Sequence, residues 1–239
     1  MYEIAPSMGS DILYDVLRES ERLVDKPDRK QESLHASLRC LAILADVTSL
    51  CLQRADHSAT TSQFEINLQH LSRAERWKRL WDELKTWRAT CPLELQSLAH
   101  HERAGASFPT ILFTSWAGLS TNIIYHTAMF LLLDHRPRTG PKDDSFPLDT
   151  GAAYVSPIWH ARRICGIALS SDLRYRPCWD PCMIAAFTLV ARRMTHPDQQ
   201  TELLKCVQGM KASGWRVDGL TTSLRRDWGL FDPDIITPV

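Results

Sequence analysis

The stretch SRAERWKRLWDELKTWRATCP, residues 72–92, decides the fold class. Ser72 and Glu75 have the spacing of a capping box, in which each side chain accepts a hydrogen bond from the other residue's backbone N–H. Apolar side chains then recur every three or four residues, on one face of a helix: Trp77, Leu80, Trp81, Leu84 and Trp87. Pro92 ends the pattern. The stretch therefore predicts an amphipathic α-helix whose apolar face lies in a core.

Similar signals predict helices on both sides of this stretch. Upstream, the periodicity of apolar residues predicts helices over 10–25 and 31–54, separated by a break at Lys26-Pro27-Asp28. Downstream, four helices that begin at a proline and one shorter helix are predicted, over 109–134, 157–170, 181–194, 197–213 and 218–228. No segment alternates between apolar and polar residues over any length.

These patterns together predict an all-α fold. We expect a multi-helix bundle of roughly seven to eight helices that forms a single domain over residues 1–239. Residues 136–155 are rich in proline and glycine, and we expect them to form a mobile loop.

Charge and cysteine content narrow the function classes. The 28 Lys and Arg residues balance 28 Asp and Glu residues, so the chain lacks the basic surplus that usually supplies affinity for nucleic acid. Seven cysteines are an odd number and contain no C-x-x-C pair, which favours reduced, buried thiols over a disulfide framework or a zinc site. We therefore expect no DNA binding by these residues alone, and no metal or cofactor held by them.

An uncharged stretch from Ala104 to Leu133 is long enough to cross a bilayer. It carries several Ser, Thr, Asn and His side chains that a lipid-facing helix would have to hide, so we predict a buried core helix and no membrane partner. Asn122, Tyr125 and His126 are candidate ligand-binding residues, because they would place polar anchors among apolar walls. The simpler interpretation of His126 is a buried histidine bonded to a neighbour.

Sequence motifs that carry catalysis are absent. Neither G-x-G-x-x-G nor G-x-S-x-G occurs, and His100-His101-Glu102 would point apart on a helix, so we expect a solvated loop there. Cys182, four residues after Cys178, would lie in the first turn of a helix, where a reactive thiol is an alternative to structural burial. We predict that the chain is not an enzyme and has no catalytic, metal-binding or cofactor-binding residues. An unrecognised helical enzyme is the less favoured alternative.

Five strings resemble, in the same order, the C-terminal regulatory domain of fungal transcription factors that carry a binuclear zinc cluster held by six cysteines. They span most of residues 72–231 and are RWKRLWDELKTWRATCP (76–92), FPTILFTSWAGLSTNIIYHTAMFLLL (108–133), SPIWHARRICGIALS (156–170), CWDPCMIAAFTLVARRMTHPDQQTELL (178–204) and SGWRVDGLTTSLRRDWG (213–229).

The resemblance implies a nuclear, all-α regulatory or interaction domain that modulates transcription by RNA polymerase II. The partners it implies are transcriptional proteins, a homodimer or a small-molecule effector. It implies DNA contact, and zinc binding, only through the zinc-cluster domain, which this chain lacks. The chain would then be a fragment of a longer protein or a relative that has lost the cluster. The alternative function is a helical domain that senses a small-molecule effector.

Overall fold

The computed structural model describes residues 28–52, 72–137, 153–170 and 179–230. These ranges contain seven α-helices: α1 Arg29–Leu52, α2 Arg73–Thr90, α3 Trp116–Asp134, α4 Pro157–Ser170, α5 Pro181–Ala191, α6 Pro197–Ala212 and α7 Asp218–Asp227. They also contain two 3₁₀ turns, Leu93–Leu95 and Ala153–Val155, and a small antiparallel sheet of two strands, β1 Ala99–His101 and β2 Thr110–Leu112. The predicted all-α, multi-helix class is confirmed.

Local sequence signals position several helix ends as predicted. The Ser72 hydroxyl accepts from the Glu75 N–H at 3.2 Å, and the Glu75 carboxylate accepts from the Ser72 N–H at 2.7 Å, which completes the capping box of α2. Asp180 caps α5 by accepting from the Met183 N–H at 2.7 Å. Gly214 follows the end of α6 with φ +94°, a left-handed conformation that favours glycine.

The helix predicted to begin at Pro109 is wrong at its start. Residues 110–112 form β2, which pairs with β1 in the register His100↔Ile111, and α3 begins only at Trp116. The Ser115 hydroxyl caps it by accepting from the Gly118 N–H at 3.0 Å. The strands are three residues long, too short for the period-two pattern to be visible. The prediction of a loop at His100-His101-Glu102 is also wrong in part, because His100 and His101 lie in the short strand β1.

Two predictions fall mainly on residues that the structure leaves undescribed. Of the predicted mobile loop over 136–155, residues 138–152 lie outside the described ranges, and the last three residues form the 3₁₀ turn Ala153–Val155. The helix predicted over 10–25 also lies outside them. Both stay predictions.

The chain divides into two compact units, Met1–Ser97 with Phe113–His160 and Leu98–Leu112 with Ala161–Val239. That all 239 residues form a single domain stays a prediction. In the first unit α1, α2 and α3 enclose an aromatic core. The Trp77 indole N–H donates to the Leu132 carbonyl at 2.6 Å, which fixes α2 to α3. Its ring also stacks on that of Trp81, one turn further along α2, with centroids 5.5 Å apart.

The second unit contains the hairpin, α5, α6, α7 and residues 161–170 of α4. Gly166 of α4 lies against Pro109 so closely that a Cβ at position 166 would be 2.3 Å from the Pro109 carbonyl oxygen. The Ser170 hydroxyl accepts from the Ile111 N–H at 2.9 Å, which fixes the hairpin on α4. Trp228 donates its indole N–H to the Ala191 carbonyl at 3.2 Å and so fastens the end of α7 to α5.

Length and hydropathy decide which of the described helices could cross a bilayer. Among the described helices, α1 is the one that is long and apolar enough to cross a bilayer, with a mean hydropathy of 1.4 over its most apolar window. Core helices pass the same test, and the buried residues Cys40, Ile43 and Val47 of α1 belong to the core of the first unit. Most of α3 is buried.

Candidate functional site

The three candidate ligand-binding residues all lie buried on α3, with exposed fractions of 4 % for Asn122, 8 % for Tyr125 and 6 % for His126. The Asn122 amide donates both its hydrogens to backbone carbonyls, that of Leu95 at 2.6 Å and that of Gly118 at 2.8 Å. Its polar donors are therefore used to hold the 3₁₀ turn Leu93–Leu95 against α3.

Tyr125 and His126 belong to an aromatic–histidine cluster that consists of Tyr125, His126, Trp159 and His160, in which Trp159 is half-buried and the other three are buried. The ring centroid of His126 lies 5.1 Å from that of Tyr125 and 5.8 Å from that of Trp159, in edge-to-face geometry. The other face of the cluster is closed by Trp87, whose indole stacks on the Tyr125 ring with centroids 5.2 Å apart. Such aromatic contacts add to the stability gained from burial alone.

The two histidines of the cluster bond to each other. His126 Nδ1 lies 2.8 Å from His160 Nδ1, and His160 Nε2 lies 2.8 Å from the Tyr154 carbonyl oxygen. A carbonyl only accepts, so His160 Nε2 carries a hydrogen, and one of the two Nδ1 atoms donates to the other. The simpler sequence interpretation of His126, a buried histidine bonded to a neighbour, is confirmed. Its partner His160 was missed, because residues 34 positions apart meet only through packing.

The cluster contributes a side-chain hydrogen bond to the fold. Two imidazoles share one hydrogen between their Nδ1 atoms, and both rings are buried against aromatic neighbours. Within the described ranges, no group of three His, Cys, Asp or Glu side chains converges on a point that would suit a metal ion. The arrangement joins α3 to the first turn of α4.

An open groove of about 510 Å³ lies between α1 and α3, within the first unit. We call it the α1/α3 groove. Its apolar walls come from Leu34, Leu38 and Leu41 of α1 and from Trp116, Ala117 and Ile124 of α3. Leu34 is 61 % exposed and Trp116 39 %, so large apolar side chains face solvent here.

Polar groups in the α1/α3 groove are mostly bonded within the fold. The Thr121 hydroxyl donates to the Ser37 hydroxyl at 2.8 Å, and the Ser37 hydroxyl donates to the Ser33 carbonyl at 2.8 Å. Charged side chains also line the groove: Arg29 and Lys30, from the first turn of α1, and Glu94. The groove therefore offers an apolar surface with basic groups where α1 begins.

A smaller recess of about 250 Å³ is lined by other α1 residues, among them Glu32, His35 and Arg39. Neither this recess nor the α1/α3 groove is lined by Asn122, Tyr125 or His126. The predicted site residues thus lie in the core of the first unit, and the open apolar surface lies beside them on α3. That these three residues bind a ligand stays a prediction.

The other sequence candidates lie in the second unit. His100 Nε2 is 3.0 Å from Arg163 Nη1 and 3.4 Å from Glu102 Oε1, and partial burial together with the Arg163 charge lowers the pKa of His100. Cys182 is exposed in the first turn of α5, whereas Cys178 lies outside the described ranges. The structural burial expected for Cys182 is therefore wrong, whereas the reactive role considered for this pair stays a prediction.

Comparisons of this chain with family models, curated proteins and solved structures return no match.

Proposed function

We propose that this chain is a regulatory and interaction domain of a fungal zinc-cluster transcription factor, which acts in the nucleus on transcription by RNA polymerase II. The observation that carries the proposal is the α1/α3 groove, because exposed side chains such as Leu34 and Trp116 are typical of surfaces that bind other proteins. The five resembling strings over 76–229 supply the family. Contact with DNA would be made by a zinc-cluster domain outside these residues.

The polar chemistry of the described residues supports a role in binding rather than catalysis. The buried polar groups Asn122, His126 and His160 make hydrogen bonds within the fold, so they hold the structure together. The net charge of zero supports a domain that regulates and does not itself grip a duplex.

A reporter assay tests the proposal. The 239-residue chain is fused to a heterologous DNA-binding domain and brought to a reporter promoter in a fungal cell. We expect transcription to change at least threefold relative to the DNA-binding domain alone. A Leu34→Asp variant should abolish the change, because a carboxylate in the apolar wall of the groove disfavours a docked partner.

The matched control for Leu34 is Leu52 at the other end of α1, which is also 61 % exposed but does not line the groove. Leu52→Asp should keep the reporter response of the unaltered chain. Equal reporter levels for the fusion and the DNA-binding domain alone would contradict a regulatory function. So would equal losses in both variants with normal protein levels, because the groove would then have no special role.

A small-molecule sensor is the second candidate function, because the volume of the groove lies within the range of about 300–1,000 Å³ that ligand pockets occupy. A bound effector would stabilise the fold in proportion to its affinity. A thermal-shift screen of metabolites against the purified chain should find a compound whose shift is lost in Trp116→Ala. A screen without such a compound leaves the partner-binding function alone.

A further inference from the structure

We propose that the α1/α3 groove binds a long-chain aliphatic carboxylate, a single hydrocarbon chain that ends in an anionic head. The inference rests on the small-molecule function considered above, for which it names the class of ligand. It is built from the order in which charged, polar and apolar groups follow one another along the groove.

The polar end of the groove lies where α1 begins. Arg29, Lys30 and Ser33 all line it, and side chains three or four residues apart on a helix are neighbours. The Ser33 hydroxyl oxygen is buried and has no hydrogen-bond partner among the residues that the structure describes. Such a hydroxyl costs free energy, which a ligand oxygen that accepts its hydrogen would recover. Two cations and an unbonded donor are the groups that bind a carboxylate.

Ser33 differs from the other hydroxyls that line the groove. The Thr121 hydroxyl donates to the Ser37 hydroxyl at 2.8 Å, and the Ser120 hydroxyl donates to a backbone carbonyl at 3.3 Å. The groove is also lined by one acidic residue, Glu94, so two cations face one carboxylate. The surplus of positive charge favours an anionic head over a cationic one.

The rest of the groove is apolar. Along α1, Leu34, Leu38 and Leu41 recur at spacings of four and three residues, so they form one stripe that leads away from the basic end. Trp116 and Ile124 of α3 line the same groove. A hydrocarbon chain that lies along this stripe would remove the exposed apolar side chains from water, which is the main source of affinity for such a ligand.

The length of the groove selects the length of the chain. From Arg29 to Leu41, α1 rises about 18 Å at 1.5 Å per residue. An extended chain of single bonds advances about 1.2 Å per bond, as an extended backbone does, so a carboxylate of about fourteen carbons reaches about 16 Å. Tetradecanoate therefore fits the groove with its head at the basic end, whereas octanoate covers only about half of it.

Isothermal titration calorimetry of the full chain with tetradecanoate, below its micelle concentration, tests the site. We expect one site with a Kd below about 50 µM, because a chain of this length already enters a bilayer with an association constant of about 10⁴ M⁻¹. Octanoate should bind at least tenfold more weakly, since each buried CH₂ contributes about a factor of four in affinity. Tetradecyltrimethylammonium, with the same chain and a cationic head, should also bind at least tenfold more weakly.

Charge reversal at the polar end has a matched control. Lys30→Glu should weaken tetradecanoate binding at least fivefold. Lys78→Glu on α2 changes another exposed lysine, which does not line the groove, and should leave the Kd within twofold. Ser33→Ala should weaken binding at least threefold without lowering the melting temperature of the ligand-free chain, because its hydroxyl has no described partner to lose. Far-UV circular dichroism verifies that the variants are folded.

Three results of the titrations would overturn the proposal: no saturable binding of tetradecanoate, equal affinity for the cationic amphiphile, or equal effects of Lys30→Glu and Lys78→Glu. Sedimentation equilibrium supplies a further check. A chain that is dimeric with and without tetradecanoate, and does not bind it, would assign the groove to a second copy instead.

The reporter fusion separates the ligand from the function. Tetradecanoate added to the growth medium should change transcription at least twofold, and Lys30→Glu should remove the response. Binding in vitro without a reporter response would establish the site and contradict its use as a sensor. A reporter effect of the fusion that is lost in Leu34→Asp, without binding of tetradecanoate, would support the partner-binding function and contradict this ligand.

Discussion

At the residue scale, a hydrogen bond joins the buried side chains of His126 and His160. Both rings are buried, and His160 also donates to the Tyr154 carbonyl. An unpaired buried polar group costs more free energy than the bond itself contributes. The pair therefore favours one packing of the first turn of α4 against α3.

We expect His160→Ala to lower the free energy of unfolding by about 2–4 kcal/mol, because it creates a cavity and removes the hydrogen bonds to His126 and to the Tyr154 carbonyl. Urea unfolding followed by far-UV circular dichroism measures the change. The control is His101→Ala on the exposed face of β1, which should stay within about 0.5 kcal/mol of the unaltered chain. Equal effects of the two substitutions would contradict a structural role for the pair.

Gly166 supplies a second prediction at the residue scale. A Cβ at this position would be 2.3 Å from the Pro109 carbonyl oxygen, whereas a Cβ at Gly219 would meet no heavy atom within 4 Å. Gly166→Ala should therefore destabilise the chain by about 2 kcal/mol or more, because the backbone of α4 and the hairpin must separate. Gly219→Ala in α7 should be neutral or stabilise by up to about 1 kcal/mol. Thermal unfolding of both variants should show that the melting temperature falls for Gly166→Ala and stays equal or rises for Gly219→Ala.

At the element scale, the helices begin where the sequence places their caps. The capping box of α2 links stability to pH, since the Ser72 hydroxyl and backbone N–H lower the pKa of the Glu75 carboxyl. A carboxyl whose pKa is lower in the folded chain stabilises it above the unfolded pKa, and this contribution is lost as the pH falls through the folded pKa. Acid should therefore weaken the start of α2.

We expect Ser72→Ala to lower the melting temperature by a few degrees at about pH 7 and by clearly less at an acid pH that lies below the lowered pKa of Glu75. Differential scanning calorimetry at the two pH values measures the difference. Thr86→Ala, at an exposed position later in α2, serves as the control and should show no such pH dependence. A constant effect of Ser72→Ala at both pH values would mean that the ionised glutamate takes no part in the cap.

At the scale of the whole molecule, buried thiols occur in both units. Burial raises the pKa of Cys206 to about 12 and that of Cys51 to about 11, and it also raises the pKa values of Cys40, Cys91 and Cys165. Cys182, by contrast, is exposed. The folded chain therefore protects most of the described thiols from ionisation and from reagents.

These pKa values are higher in the folded chain than in the unfolded chain, so the contribution of the thiols to the free energy of unfolding should be constant below about pH 8. Above about pH 9 the free energy of unfolding should fall, because the thiols ionise in the unfolded chain at a lower pH than in the folded chain. Urea midpoints at about pH 8 and about pH 10.5 test this. In a Cys206→Ala variant the fall should be smaller. An equally steep fall in the variant would assign the alkaline loss to other groups.

Thiol labelling gives an independent measure of the same protection. In the native chain at about pH 8, iodoacetamide should modify Cys182 at least tenfold faster than Cys165 or Cys206, because a thiol must be both accessible and ionised to react. Mass spectrometry of peptides after short exposure reports each site. If Cys165 and Cys206 were modified at similar rates in the native chain and in urea, their burial would be contradicted.

The sequence by itself determined the all-α class, because caps, prolines and apolar periodicity act within a few residues and are visible along the chain. The starts of α2, α4, α5 and α6 follow from Ser72, Pro157, Pro181 and Pro197 in this way. The same reasoning was wrong for Pro109, because a strand of three residues leaves no periodic signal in the sequence. The strand β2 is defined only by its pairing with β1.

Only the tertiary structure decided which side chains meet. The bond between His126 and His160, the approach of Gly166 to Pro109 and the opening of the α1/α3 groove each join residues far apart in sequence. The sequence placed Asn122, Tyr125 and His126 together on one helix and indicated a buried, bonded His126. It did not show that His160 is the partner of His126 or that Asn122 donates to the Leu95 carbonyl. Hydrophobic burial specifies that a face is covered, whereas packing geometry selects which neighbour covers it.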